Sequence, residues 1–250
     1  MSKVKSYAAL QADKPLHPHD INRRDINPDD VNIDILYCGV CHSDIHMARN
    51  EWNNTSIYPM VPGHEIIGIV KEVGSSVTKF KVGDNVGVGV YVDACEKCDN
   101  CNSGKDHYCE EGIVLTYNSY EYGTRNITYG GYSKSIVVKE NYVIKVPSEM
   151  DMKKAAPLLC AGITTYSPLR HFKINSNHKV GIAGLGGLGH MGLKFASSFG
   201  ADVVVFSTSD SKKDEAFEMG ANHFVNVNNS KDVRKHMNCL LYTSDAADES

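Results

Sequence analysis

Val180-Gly-Ile-Ala-Gly-Leu-Gly-Gly-Leu-Gly189 decides the architecture of the second half of the chain. Val180 to Ala183 has the character of a short buried strand, and His190 to Ser198 carries helical spacing through Met191, Leu193, Phe195 and Ala196. Strand, glycine turn and helix in that order predict a dinucleotide-binding unit. Glycines let a pyrophosphate approach the backbone closely, and the free N–H groups and dipole of a helix N-terminus favour anions. Gly184, Gly186, Gly187, Leu188 and Gly189 are the expected phosphate contacts. A glycine-rich turn without a ligand is the competing reading, which the flanking strand and helix disfavour.

Further along, a second strand, Val203-Val-Val-Phe206, ends at Ser207-Thr-Ser-Asp-Ser-Lys-Lys213. A site that prefers NAD places Asp or Glu at this strand end, on the ribose 2′-hydroxyl. Here the position holds Ser207, so nothing repels a 2′-phosphate, and Ser207, Thr208, Ser209 and Lys212 or its neighbour Lys213 are candidate donors to one. NADP(H) is therefore expected over NAD(H). Asp210 works against this by one step of register, and the lysines could equally open a solvated helix. A helix over Lys212 to Met219, stopped by Gly220, and a third strand at His223-Phe-Val225 follow. Two βα units and a third strand make about half of a six-stranded dinucleotide fold. The stretch Cys239-Leu-Leu-Tyr-Thr-Ser-Asp-Ala-Ala-Asp-Glu249 resembles the translation of a sequencing-library adapter, so 239–250 is expected to be a non-native tail outside the fold.

The composition suits a globular protein with a real core: 42% of the 250 residues are hydrophobic and the net charge is −4. With no basic block, nucleic acid is not an expected partner. The N-terminus lacks the apolar core of a signal peptide and no apolar run is long enough to span a membrane, so a cytoplasmic location is expected. In a reducing compartment the eight cysteines are read as metal ligands before disulfides. Cys38 and Cys239 are left without a role.

The first half reads as β. Val31, Ile33 and Ile35 alternate with polar residues in a strand that leads towards Cys41, and Ile66 to Val70, Val86 to Val90 and Ser135 to Val138 are further short runs between turns, which suggests a barrel or sandwich. Cys95, Cys98, Cys101 and Cys109 lie close enough in sequence to saturate a tetrahedral zinc with no open position. A ferredoxin cluster is disfavoured, since it would need its fourth cysteine three residues after the third and before a proline. The loop between Tyr117 and Tyr132 is assigned no chemistry. Cys41, His64 on a strand-like run, and Cys160 form a second set: two thiolates and one imidazole suit zinc, and three protein ligands leave the fourth position open for water or substrate.

Cys38-Gly-Val-Cys-His-Ser-Asp44, Pro62-Gly-His-Glu65 and the four-cysteine loop, in that order, resemble the zinc-dependent medium-chain alcohol dehydrogenases, in the subgroup of cinnamyl-alcohol-dehydrogenase-like aldehyde reductases. The resemblance covers about Val4 to Asn238. It implies an α/β plus β fold: a GroES-like β-barrel catalytic domain over 1–155 with a structural-zinc lobe at about 93–110, then a partial Rossmann cofactor domain over 156–238. It implies two zinc ions per chain, one catalytic and one structural, and reversible hydride transfer between NADP(H) and primary alcohols or aldehydes. By the same resemblance Ser43 contacts the substrate oxygen and His46 passes the proton outward. His42 lies near the cofactor phosphates, Thr164 contacts the nicotinamide, Asp44 holds the zinc-bound His64, and Glu65 approaches the metal when water or substrate leaves. Trp52 and Leu115 are candidates for an aromatic-accepting pocket or for the core. Family members are commonly dimers or tetramers, and no membrane partner is implied. The competing readings are a non-catalytic zinc module on the four-cysteine loop, a metal-free quinone reductase, which the ligand triad argues against, and an inactive truncated fragment.

Overall fold

The computed structural model describes residues 1–124, 126–228 and 233, and the backbone of 242–245. The chain divides into two compact units, Met1–Cys160 and Ala161–Ser250. The division falls after Cys160 and not at the expected 155/156, because Ala155 and Ala156 pack with Ile67 and Val146 inside the first unit.

In the first unit β1 (Ser2–Ala8) and β2 (His17–Arg23) form an antiparallel ribbon in register Val4↔Ile21. β3 (Asp30–Cys38) and β4 (Ile66–Val73) are central in a five-stranded antiparallel sheet. β5 (Asn85–Val88), β8 (Ser135–Lys139) and β9 (Val143–Lys145) complete it, in the order β8-β3-β4-β5-β9. Register shifts between Asn32 and Ile33 and between Ile35 and Tyr37 curl the sheet, as bulges do. One face is a closed apolar layer: Val31, Ile33, Ile66, Val70, Val86, Val88, Ile136 and Val138 are almost wholly buried. Each such side chain removes about 1.5–3 kcal/mol worth of apolar surface from water. β6 (Tyr91–Asp93) pairs with β7 (Val114–Leu115) in a short ribbon that brackets the four-cysteine lobe, which contains α2 (Asp99–Asn102). Lys139 on β8 ties this lobe to the sheet, its Nζ 2.8 Å from Asp93 and 3.0 Å from Glu96. α1 (His42–Ala48) follows β3, and α3 (Met152–Ala155), capped by the Asp151 carboxylate on the Lys153 N–H, leads to Cys160.

In the second unit α4 (Ala161–His171) precedes a parallel sheet of β10 (Lys179–Ala183), β11 (Asp202–Ser207), β12 (His223–Asn226) and β13 (Tyr242–Asp245), in the order β12-β11-β10-β13. This matches the first four places of the doubly wound order 3-2-1-4-5-6. α5 (Gly187–Ser198) and α6 (Lys213–Glu218) are the crossovers, and Leu193, Ala196 and Ala216 bury against Val180, Ile182, Val203 and Val205. Two expectations shift. α5 begins inside the glycine run, because Gly186 itself takes the N-cap position. Of the stretch 239–250, expected to stand outside the fold, the backbone of 242–245 is taken up beside β10; parallel pairing uses backbone groups alone, so the open side of β10 accepts it. The rest of that stretch lies outside the described residues. No helix among the described residues is long and apolar enough to cross a membrane.

Candidate active site

β3 ends at Cys38, and after two further residues the chain reaches Cys41, the N-cap residue of α1. A helix start at this point sets Cys41, His42, Ser43 and Asp44 in the first turn, with His46 one turn on. The Asp44 carboxylate accepts from the Cys41 backbone N–H at 2.9 Å, which fixes the cap. His64 is not on a strand, as its neighbours suggested. It sits just before β4, in a segment without regular structure where Gly63 has φ +104. Cys160 arrives from the far end of the unit, after a short turn of 3₁₀ helix over Ala156–Leu159.

These three residues come together. The ligand atoms of Cys41, His64, Glu65 and Cys160 all lie within 4.8 Å of one another. Two sulfurs each about 2.3 Å from a tetrahedral zinc sit roughly 3.8 Å apart, and Cys41 Sγ and Cys160 Sγ are 3.8 Å apart. The donor set therefore fits the ion. Cys41 is drawn down to about 3, chiefly by the Cys160 thiol donating to it, with His64 and Ser43 adding to this against the cost of burial. Cys160 keeps the shared proton and is pushed up. His64 is only 3% exposed; burial opposes its charge, but Asp44 and the Cys41 thiolate outweigh this and hold it up to about 10. His64 Nδ1 lies 3.1 Å from Asp44 Oδ1, leaving Nε2 for a metal. Asp44 is itself lowered: desolvation works against it, and the hydrogen bond from His64 prevails. Glu65 is buried beside this group, its carboxylate filling the space that a side chain on Gly39 would need, since a Cβ there would lie 1.9 Å from Oε2.

Ser43 Oγ is 3.5 Å from Cys41 Sγ, and the His46 ring stacks on His42 at 4.6 Å and on Trp52 at 5.5 Å. Leu115 lies in β7 opposite Tyr91. Three contributors had no sequence reading. Glu51 brings a carboxylate against His46 Nδ1; an acid just past a helix that carries a histidine was the available signal. Tyr117 stacks on His64 with centroids 5.8 Å apart, and Tyr132 reaches Asp44. Both phenols are raised by burial and then by the nearby Asp44, so they remain donors. They bound the loop to which no chemistry was assigned.

The four lobe cysteines also converge, all ligand atoms within 4.8 Å, with Cys95 Sγ and Cys101 Sγ 3.9 Å apart. Their sulfurs accept from backbone N–H groups, Cys95 to Cys109 and Cys98 to Cys95, each at 3.4 Å. All seven described cysteines are free thiols.

In the second unit the glycine turn has the crowding that its residues imply. A Cβ at Gly189 would stand 2.1 Å from the Gly184 carbonyl oxygen, Gly184 has φ +80, and the space above Gly187 is open. Lys212 Nζ donates to Leu185 O at 3.0 Å, which brings an ammonium to that turn. Ser207 is buried, its hydroxyl 3.3 Å from Ser209 O, while Thr208 and Ser209 are exposed. Thr164 is exposed on α4.

The profile of the alcohol dehydrogenase GroES-like domain matches residues 27–148, and that of the zinc-binding dehydrogenases matches residues 187–246. The chain is 50% identical over 236 residues to aldehyde reductase YahK of Escherichia coli (strain K12), covering 94% of this chain and 67% of that protein. The chain belongs to the zinc-dependent medium-chain alcohol dehydrogenases. Within these dehydrogenases it falls in the cinnamyl-alcohol-dehydrogenase-like subgroup, and its fold is a GroES-like domain followed by a Rossmann-type domain. It is 53% identical over 226 residues to NADP-dependent alcohol dehydrogenase C 1 of Mycolicibacterium smegmatis, covering 90% of this chain and 64% of that one. The Helicobacter pylori cinnamyl alcohol dehydrogenase, solved in complex with NADP(H), superposes with a TM-score of 0.85 at 49% identity, covering 90% of this chain and 64% of that structure. The chain thus spans about two thirds of the length of these dehydrogenases.

Proposed function

We propose that this chain carries the metal centre and the first part of the cofactor domain of an oxidoreductase that moves hydride reversibly between NADP(H) and primary alcohols or aldehydes. The observation that carries the reading is the convergence of Cys41, His64 and Cys160 on one point, with a buried carboxylate behind the histidine.

When bound, zinc supplies Lewis-acid polarisation of the substrate oxygen and the nicotinamide gives or takes hydride. The chain's own residues do the rest. Cys41, His64 and Cys160 hold the ion, and Asp44 keeps His64 in the tautomer that offers Nε2. Ser43 hydrogen-bonds the substrate oxygen, and the proton that balances the hydride travels through His46, whose Nδ1 already faces Glu51. Glu65 would stand as a further carboxylate beside the ion. The turn from Gly184 to Gly189 takes the pyrophosphate, and Ser207, Thr208, Ser209 and Lys212 form the 2′-phosphate side of the site. His42 and Thr164 are assigned to the cofactor phosphates and nicotinamide on the family pattern. Cys95, Cys98, Cys101 and Cys109 hold a second zinc with no open position. A cytoplasmic homodimer or homotetramer completes the proposal.

Cys41→Ser tests it. The expected result is a fall from two zinc ions per chain to one, together with loss of NADPH-driven aldehyde reduction. Turnover retained at one zinc per chain would sink the ligand assignment.

A further inference from the structure

Asp44 is 2% exposed, so its charge has to be met by donors from the protein. Four fall two on each oxygen, and the Tyr117 hydroxyl also bonds the carboxylate. Oδ1 accepts from the Gly63 backbone N–H at 2.9 Å and faces His64 Nδ1 at 3.1 Å; Oδ2 accepts from the Cys41 N–H at 2.9 Å and from the Tyr132 hydroxyl at 3.2 Å. Three of these donors belong to segments that themselves supply metal ligands. Tyr132 is the fourth, and it comes from a different part of the chain, 88 residues away.

Its position is not loose. The segment 130–132 runs hydrogen-bonded along the segment that carries His64: Gly130 N–H to Val61 O at 2.7 Å, Gly131 N–H to Gly63 O at 2.8 Å, and Tyr132 N–H to Pro62 O at 3.0 Å. The approach is close enough that a Cβ on Gly130 would meet Gly63 O at 2.4 Å, and a Cβ on Gly63 would meet the Tyr132 ring at 2.7 Å. On its other side the Tyr132 carbonyl accepts from the Tyr7 N–H at 2.8 Å. The ring is thus seated over the His64 loop, and its hydroxyl ends on the one carboxylate that orients His64.

We propose that Tyr132 is a positioning residue for the metal centre: its hydroxyl completes the donor set of Asp44 and so fixes the carboxylate that aims the His64 ring. This rests on the reading that Cys41, His64 and Cys160 hold a divalent metal. Without that hydroxyl Oδ2 loses one of its donors, the carboxylate is held less tightly, and with it the His64 ring it aims. Outer partners of metal-bound histidines govern affinity by about 10- to 100-fold, and a group one bond further out belongs at the low end of that range.

The test is a cobalt(II) titration of the chain and of Y132F, with C41S as a blank that keeps only the four-cysteine centre. The difference absorption reports thiolate-to-metal bonding at the Cys41 site. Y132F is expected to raise the dissociation constant of that site roughly tenfold and to alter its ligand-field bands, while the four-cysteine centre stays unchanged. In a D44N background the same substitution should add nothing, because its route through Asp44 is already gone. A purely structural role would lower the unfolding midpoint without moving the site's affinity or spectrum, and that result overturns the proposal. So does an equal effect of Y132F with and without Asp44. If the parent chain gives no difference absorption over C41S, the metal reading and the proposal fall together.

Discussion

Glu51 presents a carboxylate oxygen to Nδ1 of His46 just past the end of α1, on the ring that stacks against His42. A histidine that hands protons outward needs an acceptor on its far side, and general acid–base partners contribute about 10²–10⁴-fold to rate. Glu51→Gln keeps the shape and removes the acceptor. The expected outcome is a kcat lower by about tenfold or more with zinc content unchanged, read from the kcat–pH profile. A profile that overlays that of the parent would leave His46 without this partner.

The metal-free site should give stability an unusual pH dependence. Cys41 ionises at about 3 in the fold against 9 unfolded, and His64 at about 10 against 6.5. The depressed thiol contributes stability above 9 that is lost as pH falls towards 3; the raised imidazole contributes below 6.5 and loses it as pH rises through 10. From 3 to 6.5 the unfolded chain binds one more proton and stability climbs with pH. From 6.5 to 9 the two proton counts match and the contribution is level, and above 9 it falls. Denaturant midpoints of the metal-free chain, less those of a Cys41→Ala, His64→Gln double variant, should trace this plateau. A monotonic difference would refute the thiolate–imidazolium pairing.

Cys98→Ser should act on the fold and not on the chemistry. Cys98 caps α2 and donates its N–H to Cys95 Sγ, so losing its thiolate opens the four-cysteine centre while Lys139 still holds Asp93 and Glu96. One zinc per chain is lost and the thermal midpoint drops by at least several degrees, with Cys41-site metal retained. Full stability with both metals present would remove the structural role.

Ser207→Asp should turn cofactor preference towards NADH. A carboxylate about 4 Å from a 2′-phosphate costs about 1–4 kcal/mol, a factor of roughly five or more. The ratio of kcat/KM for the two cofactors reads it, and an unchanged ratio would locate discrimination at Thr208, Ser209 and Lys212 instead.

The ligands themselves were legible in the sequence because thiolates and imidazoles have few reasons to recur in such order, and the glycine turn was legible because its strand and helix frame it. The spacing of Cys95, Cys98, Cys101 and Cys109 pointed to one shared metal centre, and their ligand atoms do converge. The outer contacts did not show. Tyr132 and Tyr117 bound a polar loop without periodicity, and the use of Tyr132 depends on backbone pairing between residues 61–63 and 130–132 that no local pattern announces. His64 looked like part of a strand because the apolar run of β4 begins two residues later, while positive φ at Gly63 keeps it in the approach to that strand. α1 was missed because its seven residues are mostly polar and are held by the cap on Asp44 more than by an apolar face.

The distance in sequence between the two sulfur ligands has a consequence for the order of events during synthesis. Cys41 and Cys160 are 119 residues apart, which at 5–20 residues per second separates their appearance by about 6–24 s. Cys95 and Cys109, 14 residues apart, are made within roughly 1–3 s of each other at the same rate. A nascent chain therefore has all four lobe thiolates in place before the Cys41 site has all its ligands.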